Sequence, residues 1–488
     1  MKKYDLLKVL GITFLVVFLM SWVIPAGGYS SGSFSSTDAA VPLGLYDLVR
    51  LPFISMATFI QYILLILAIG GFYGVLNKTG VYTKIVEGIT KKYKDNSKKF
   101  MIITIILFAL LSSIIGTLNV ILILVPFFVT VLLKLGYSKI NALASTIGAM
   151  LVGQIGSTIG FGTWGYLKIV FGQSSTTFTM TSLILIRIIL LIIVTSLFVI
   201  LVSKKSLFKK EVTKKEVVKD KKSKEKTAEV KEEKVNIPLY SELRTEKGIL
   251  PLIVVVILMF VLLVVGVYNL SYTFGISFLE DFHESLMSAK IGNYEIFSNL
   301  LGGTSALGLW GNYDIIAILV IASLIITWVY SVKFSEAIDG FVKGMKEMIV
   351  PAVYAGLSCV VFAAILNMEG ADFVNTITNQ FVGENFSIAG TTISTLTSSF
   401  FYNDFYTLVA TMSSPFSAFD ENVIQIVALM FQTMYGLVML IAPTSIFLIA
   451  GLSYLQIPYK EWVKYIYKYL LIIFGIVIVI SVIANMMI

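Results

Sequence analysis

The chain has 488 residues, of which 57% are hydrophobic and 14% charged, with a mean hydropathy of +0.89 and a formal net charge of +8. Apolar stretches of about 20 residues, the length of one helical crossing, predict a polytopic all-α membrane protein and exclude a β-barrel, whose strands would alternate polar and apolar. A single cysteine (Cys359) and a single histidine (His283) exclude an internal disulfide and a Cys/His zinc cluster.

Lysine placement orients the helices, because short cytoplasmic loops carry the excess of Lys and Arg. Lys2, Lys3 and Lys8 put the N-terminus in the cytoplasm. A first helix over 10–24 ends outside at Trp22-Val23-Ile24-Pro25-Ala26-Gly27. It is expected to stay uncleaved, since Lys8 lies late for a signal peptide and Pro25 stands at the would-be cleavage point. A Ser/Gly-rich external loop and a short amphipathic piece over 45–51 follow. A second helix over 53–76 returns to a cytoplasmic segment bearing Lys78, Lys84, Lys91, Lys92, Lys94, Lys98 and Lys99.

Residues 100–135 are mostly apolar, well beyond one crossing, yet have lysines at both ends: Lys98 and Lys99 before, Lys134 and Lys139 at the close. One crossing would put one pair outside. A hairpin that enters from the cytoplasm, turns at Gly116-Thr117-Leu118-Asn119 and leaves again keeps both inside. Such a re-entrant loop is tolerated only where it is buried in protein or faces a water-filled cavity. The next crossing, 140–166, is broken by Gly153, Gly156, Gly160 and Gly162 among Gln154, Ser157 and Thr158. A helix over 180–202 then leads to the linker. Residues 204–234 hold 13 Lys against 7 Asp or Glu, so +6 of the net +8 sits there. The run reads as a solvated cytosolic linker, with no aromatic-interleaved basic surface for nucleic acid.

The second half repeats the pattern with opposite sign. A helix over 249–270 goes out and precedes a long external loop to Gly311 that contains His283. A helix over 314–330 comes in to Lys333, Lys343 and Lys346, and one over 348–367 goes out. Residues 386–419 have acids around them (Asp372, Glu384, Asp420, Glu421) and no lysine, so this hairpin is expected to enter from outside. A helix over 423–455 is broken at Ala442-Pro443-Thr444-Ser445. Lys460, Lys464 and Lys468 precede a last crossing over 469–485, which leaves the C-terminus external. Trp22, Trp328 and Trp462 fall near the expected interfaces. The units are thus a first repeat over 1–203, a linker over 204–247 and a second repeat over 248–488.

The halves also share wording. Ser112-Ser113 leads to Pro126-Phe127 and Ser398-Ser399 to Pro415-Phe416, each after a helix ending Leu-Asn-x-x-Gly (Leu76 to Gly80, Leu366 to Gly370). Broken apolar segments at corresponding places in two halves point to a transporter's binding site. The expected site gathers Gly116, Thr117, Asn119, Gly156, Ser157, Thr158, Asn403, Asp404, Pro443, Thr444 and Ser445. Half-helix N-termini there suit a carboxylate, and oxygens near Asn119, Ser157, Asn403 and Thr444 suit Na+. Asp404 is read either as holding a proton, Na+ or a substrate ammonium, or as a cap of the following half-helix. Arg187 lies outside the broken elements, which favours snorkelling or pairing with a neighbouring helix over binding an anion. Ser112, Ser113, Ser398, Ser399, Gln154 and Gln432 are read either as reaching the cavity or as packing. Cys359 is read as plain packing.

Gly436-Leu437, Ala442-Pro443-Thr444-Ser445 and Ile457-Pro458-Tyr459-Lys460-Glu461-Trp462-Val463-Lys464 closely resemble the YfcC family of the ion transporter superfamily. So do Trp22 to Gly27, Leu135-Gly136-Tyr137 and Gly156-Ser157-Thr158. The resemblance implies a secondary carrier of C4-dicarboxylates or an arginine/ornithine-type antiporter. It also implies two inverted repeats, each with a re-entrant hairpin and an unwound helix, an elevator-like transport domain, and a homodimer. Three site positions depart from the family pattern. Leu118-Asn119 stands for its acidic residues, Gly160-Phe161 for its Asn-Pro, and Tyr402-Asn403-Asp404-Phe405 for its Ser/Gly-rich run.

The functional expectation is secondary transport of a small carboxylate-bearing metabolite across a bacterial cytoplasmic membrane by alternating access. Coupling would be to Na+ or H+ or to exchange, with no other cofactor. A channel is the rival reading, but no filter-like carbonyl run or charge ring supports it. An enzyme lacks any His-Glu-x-x-His or Gly-x-Ser-x-Gly motif.

Overall fold

In hydrocarbon every backbone N–H and C=O must be paired within the protein, so apolar sequence of this length folds as helix. The computed structural model describes residues 5–30, 33–37, 39–172, 178–216, 237–368, 372–383, 385–416 and 419–487. Lys2, Lys3, Glu369, Gly370, Glu384 and the linker centre (217–236) lie outside these residues. Nine helices among the described residues are long and apolar enough to cross a membrane.

Helix α1 (Asp5–Val23) leads to an antiparallel pair, β1 (Gly27–Ser30) and β2 (Ser33–Ser36). The sequence suggested only an irregular loop there. Then come α2 (Asp47–Thr58), α3 (Ile60–Thr79) and the lysine-rich α4 (Val81–Tyr93). The first interrupted stretch is α5 (Ser97–Ile115), α6 (Leu118–Leu122) and α7 (Val125–Lys134). It is a hairpin: Phe128 of α7 stacks on Phe100 of α5, and Tyr137 beyond α7 donates to Ser97 at the start of α5 at 3.4 Å.

The next crossing is assembled from α8 (Lys139–Leu143), a π turn (Ala144–Gly148), α9 (Ala149–Ile155), a non-helical break, a second π turn (Phe161–Gly165) and α10 (Tyr166–Phe171). Two π turns on one crossing were not expected, and such turns concentrate at functional sites. Helix α11 (Ile184–Glu216) closes this half.

Helix α12 (Leu250–Val267) opens the second half. The long loop after it holds α13 (Leu270–Phe274), α14 (Phe278–Met287), α15 (Ile296–Leu301) and a strand pair, β3 (Lys290–Ile291) with β4 (Tyr294–Glu295). Helix α16 (Asn312–Val329) follows, then α17 (Phe334–Ser358) and α18 (Val360–Leu366), nearly continuous. Helix α17 begins well before the expected 348, so that Lys343 and Lys346 lie on the helix itself. After α19 (Phe373–Phe381), the second interrupted stretch is α20 (Ile388–Phe401) and α21 (Phe405–Met412), whose flanks meet through Phe386 and Phe419. Helix α22 (Glu421–Met439), a break over 440–445 and α23 (Ile446–Leu455) form the second broken crossing, and α24 (Tyr459–Met487) ends the chain. A hairpin followed by a broken helix therefore occurs twice in the same order.

Helices α3 and α17 cross at two facing small-residue pairs, Gly70/Gly74 and Gly340/Gly344, spaced four apart. A methyl group at any of these positions would overlap the facing backbone. This is how transmembrane helices approach closely when no hydrophobic force drives them together. Trp22 and Trp328 are exposed, as lipid-interface residues would be. Trp462 is not: it is fully buried, stacks on Tyr465 and donates to the Leu440 carbonyl at the end of α22. Asn77 of the first Leu-Asn-x-x-Gly phrase clamps the linker's end, donating to the Leu239 carbonyl and accepting from Ser241 N–H.

Gly344→Ala should therefore lower the melting temperature in detergent, with overpacking costing about 1–3 kcal/mol. Gly475→Ala, on an open face of α24, should leave it level or slightly raised. Equal effects of the two substitutions would refute the close α3–α17 crossing.

Candidate functional site

The tip of the first hairpin is built on Gly116, which adopts a left-handed φ of +77°. A Cβ there would lie 2.7 Å from Gly162 N and 2.8 Å from the Gly160 carbonyl carbon, so only glycine lets the tip rest on the break. The break frees backbone groups, and hydroxyls take them up. Ser113 Oγ donates to the Gly156 carbonyl at 2.9 Å and accepts from Thr158 N–H at 3.0 Å. The Ser113 carbonyl accepts from Ser157 Oγ at 3.3 Å. Gln154 Nε2 donates to Ser112 Oγ at 2.9 Å and lies 3.3 Å from the Gly116 carbonyl. Ser157 also pairs with Thr163. Gly116, Gly156, Ser157 and Thr158 thus come together. Ser112, Ser113 and Gln154 serve as partners for the break rather than as spacers.

Asn119 goes elsewhere. Its amide donates to Asn312 at the start of α16, away from the other site residues, while its own Oδ1 is buried without a partner. Thr117 lies half-buried at the N-cap of α6.

The second hairpin meets its break in the same style. Thr444 Oγ1 donates to the Phe400 carbonyl at 2.9 Å, and Tyr435 donates to the Asn403 carbonyl at 2.8 Å. Asp404 caps α21: its Oδ2 accepts from Thr407 N–H and Thr407 Oγ1, both at 2.8 Å. Pro443 lies inside the break. Ser398 bonds back to the Ser394 carbonyl of its own helix.

One difference separates the two tips. Around the first, Ser112, Ser113, Gln154, Ser157 and Thr158 are paired, and Asn119 Oδ1 and Arg187 Nε are the atoms left over. Around the second, Ser399 Oγ, Ser445 Oγ, Gln432 Oε1 and both polar atoms of the Asn403 side chain are buried with no hydrogen-bond partner. The Asn403 amide lies beside the Cys359 thiol, so Cys359 borders the site rather than merely filling the core. Gln432 joins the two breaks, its Nε2 donating to the Ile155 carbonyl at 2.9 Å. Tyr166 and Tyr406 meet edge to face with centroids 5.2 Å apart, linking α10 to α21.

The chain matches the sequence profile of the family described as DcuC, C4-dicarboxylate anaerobic carrier, over residues 5–486. It belongs to that carrier family. It is therefore a membrane transporter and not an enzyme. Among solved structures, the chain is similar to the Alcanivorax borkumensis YdaH transporter, at 12% identity with 98% of each chain covered and a TM-score of 0.38. No curated protein sequence matches it.

Two charged side chains of the carrier are buried among the described residues, Arg187 and Asp372, and neither was expected at the site. Arg187 does not snorkel; it reaches the first break. In the sequence Asp372 is only an acid flanking the second hairpin. Its backbone pairs with Gly27 of β1, its Oδ1 accepts from Asn375 N–H at 2.9 Å as the N-cap of α19, and Tyr402 donates to its Oδ2 at 3.4 Å. Tyr402 immediately precedes the Asn403-Asp404 tip. Burial pushes the Asp372 carboxyl up to about 6, against the hydrogen bonds from Asn375, Val374 and Tyr402 that favour the carboxylate.

A raised carboxyl holds its proton longer in the folded than in the unfolded state. Stability from this group should be full below 3.8 and lost as pH rises through about 6. Asp372→Asn keeps the helix cap and removes the titration. Melting temperature measured from pH 4 to 7 should fall with pH in the parent relative to this variant; parallel curves would contradict the assignment.

Proposed function

We propose that the carrier moves C4-dicarboxylates across the bacterial cytoplasmic membrane by alternating access, coupled to Na+ or H+. The observation that carries this reading is the set of unpartnered polar atoms on the second hairpin and its broken helix. Buried polar groups without partners cost about 1–3 kcal/mol each, so a ligand or ion that satisfies them gains binding free energy. Ser399 Oγ, Asn403 Oδ1, Gln432 Oε1 and Ser445 Oγ are hard oxygen donors of the kind Na+ takes, with Asp404 nearby to offset its charge. Thr444 is already committed to Phe400, so its neighbour Ser445 is the better donor.

The repeated hairpin-and-break order, with lysines flanking the first hairpin and acids the second, fits two inverted repeats. The N-terminus would then be cytoplasmic and the C-terminus external. Hairpins and broken helices would move as one body against the glycine-packed α3–α17 pair, in an elevator-like stroke, within a homodimer. The family profile matched by the chain favours dicarboxylate cargo, and the YfcC-like C-terminal motif keeps exchange as the form of coupling to test.

The decisive measurement is uptake of labelled succinate, aspartate and arginine into proteoliposomes, with and without Na+ and pH gradients. Saturable succinate uptake stimulated by one gradient is expected. Ohmic current or arginine–ornithine exchange alone would replace this reading. Asn403→Ala and Ser445→Ala should each cut gradient-stimulated uptake by about tenfold or more, the scale of one lost buried ligand bond. Asp404→Asn, which can retain the α21 cap, should abolish or uncouple transport without unfolding; unchanged uptake and gradient dependence would remove Asp404 from the mechanism.

A further inference from the structure

Arg187 is fully buried, with its guanidinium carbon 3.6 Å from the centre of the Trp164 ring. One terminal nitrogen donates to the Thr158 carbonyl and the other to the Met180 carbonyl, while Nε has no partner. Trp164 is itself fixed by donating to the Thr179 carbonyl at 2.9 Å. The guanidinium is therefore clamped behind the first break, in direct contact with a residue of the Ser113–Ser157–Thr158 clasp.

Nothing among the described residues neutralises it. The ion pairs formed there are Arg244–Glu87, Lys290–Glu295 and Lys333–Glu336, all exposed. The other buried charge, Asp372, belongs to the second hairpin's surroundings through Tyr402. Bonding two carbonyls needs only neutral donors, as an Asn or Gln side chain supplies. Keeping a full positive charge out of water without a counter-charge is far more costly than keeping an amide there. The charge thus requires an explanation that the two hydrogen bonds do not provide, and an anion in the clasp region supplies one.

We propose that Arg187 is the charge filter of the carrier: a positioning residue that, without touching cargo, makes the first clasp electropositive, so that a cargo carboxylate docks there and the coupling cation is confined to the second tip. This rests on the dicarboxylate-carrier reading above. It also accounts for the difference between the tips. Near Arg187 a cation would be repelled, and the oxygens there are paired with one another. At the second tip, beside Asp404, the oxygens are left free. The same field would disfavour a cationic cargo such as arginine.

The test uses the full-length protein in proteoliposomes, with succinate, its half-amide succinamate and arginine as probes, and Arg187→Lys and Arg187→Gln as variants. In the parent, succinate should compete for uptake at least about tenfold better than succinamate. Arg187→Gln should raise the succinate KM by about tenfold or more, with kcat within about threefold, and should erase the succinate–succinamate difference. Arg187→Lys, which keeps the charge, should retain that difference even if its melting temperature falls. A purely structural Arg187 would lower kcat and melting temperature in both variants with KM and the probe ratio unchanged, which overturns the proposal. If Arg187→Gln does not fold, equal competition by succinate and succinamate in the parent, or loss of discrimination in Arg187→Lys, overturns it as well. A parent protein that takes up no dicarboxylate removes the functional reading itself, whereas normal uptake with an unchanged KM in Arg187→Gln removes only the filter.

Discussion

A helix interrupted in an apolar interior exposes N–H and C=O groups that no water can reach, and each must find a partner in the protein. The architecture around both breaks follows from that constraint. Hydroxyl and amide side chains stand wherever the backbone is released: Ser112, Ser113, Gln154 and Ser157 at the first break, Thr444 and Tyr435 at the second. Each hairpin is brought against its break by these bonds, and glycine at 116 and 160 lets the first pair of backbones touch. Ser112-Ser113 is the sequence trace of this pairing requirement, whereas in the second half Ser398 bonds within its own helix, Ser399 Oγ stays unpartnered and Thr444 takes the role.

Given equal requirements, the two tips satisfy them unequally. The first is closed on itself and backed by a buried cation. The second leaves five polar atoms without partners and is flanked by an acid. An isolated stability argument would not retain such orphans, since replacing them by apolar groups of similar shape is close to neutral. Their retention makes sense when something that comes and goes pairs with them. A cation site needs that arrangement, because its oxygens must replace the water that the ion sheds on binding.

Much of the architecture was legible in the sequence because it is written in charge and length. Lysines at both ends of 100–135 forced a hairpin, and Gly-, Ser- and Pro-rich interruptions marked both breaks near where the helices stop. What escaped depends on three-dimensional return. Arg187 reads as an ordinary intramembrane charge until residues 178–183 fold back and bring it under Thr158. Asp372 reads as a loop acid until β1 covers it. Trp462 sits at the right register for an interface, but the lysine-bearing turn of α24 rotates it inward to hold the end of α22. The glycine pairs of α3 and α17 were visible as Gly-x-x-x-Gly spacing, though nothing local shows that one faces the other.

The joint between the breaks bears on how the proposed stroke can run. Gln432 donates across to Ile155, Gly436 lets α22 lie directly on the Ile155 backbone, and Tyr166 packs on Tyr406. These contacts tie each break to the other half, so neither tip can shift far alone. Polar links from this body to the segments around it are isolated hydrogen bonds: Tyr73 of α3 to the Ile123 carbonyl, Asn119 to Asn312, Tyr268 to the Ile159 carbonyl, Lys168 to the Tyr272 carbonyl and Tyr454 to the Pro238 carbonyl. Each is one hydrogen bond, worth about 0.5–1.5 kcal/mol net, and each can be exchanged for another partner along a sliding surface. Opening the joint would instead leave Gln432 and the Ile155 carbonyl without each other in a dry interior, and that is the energetic ground for expecting the two clasps to travel together with cation and cargo between them.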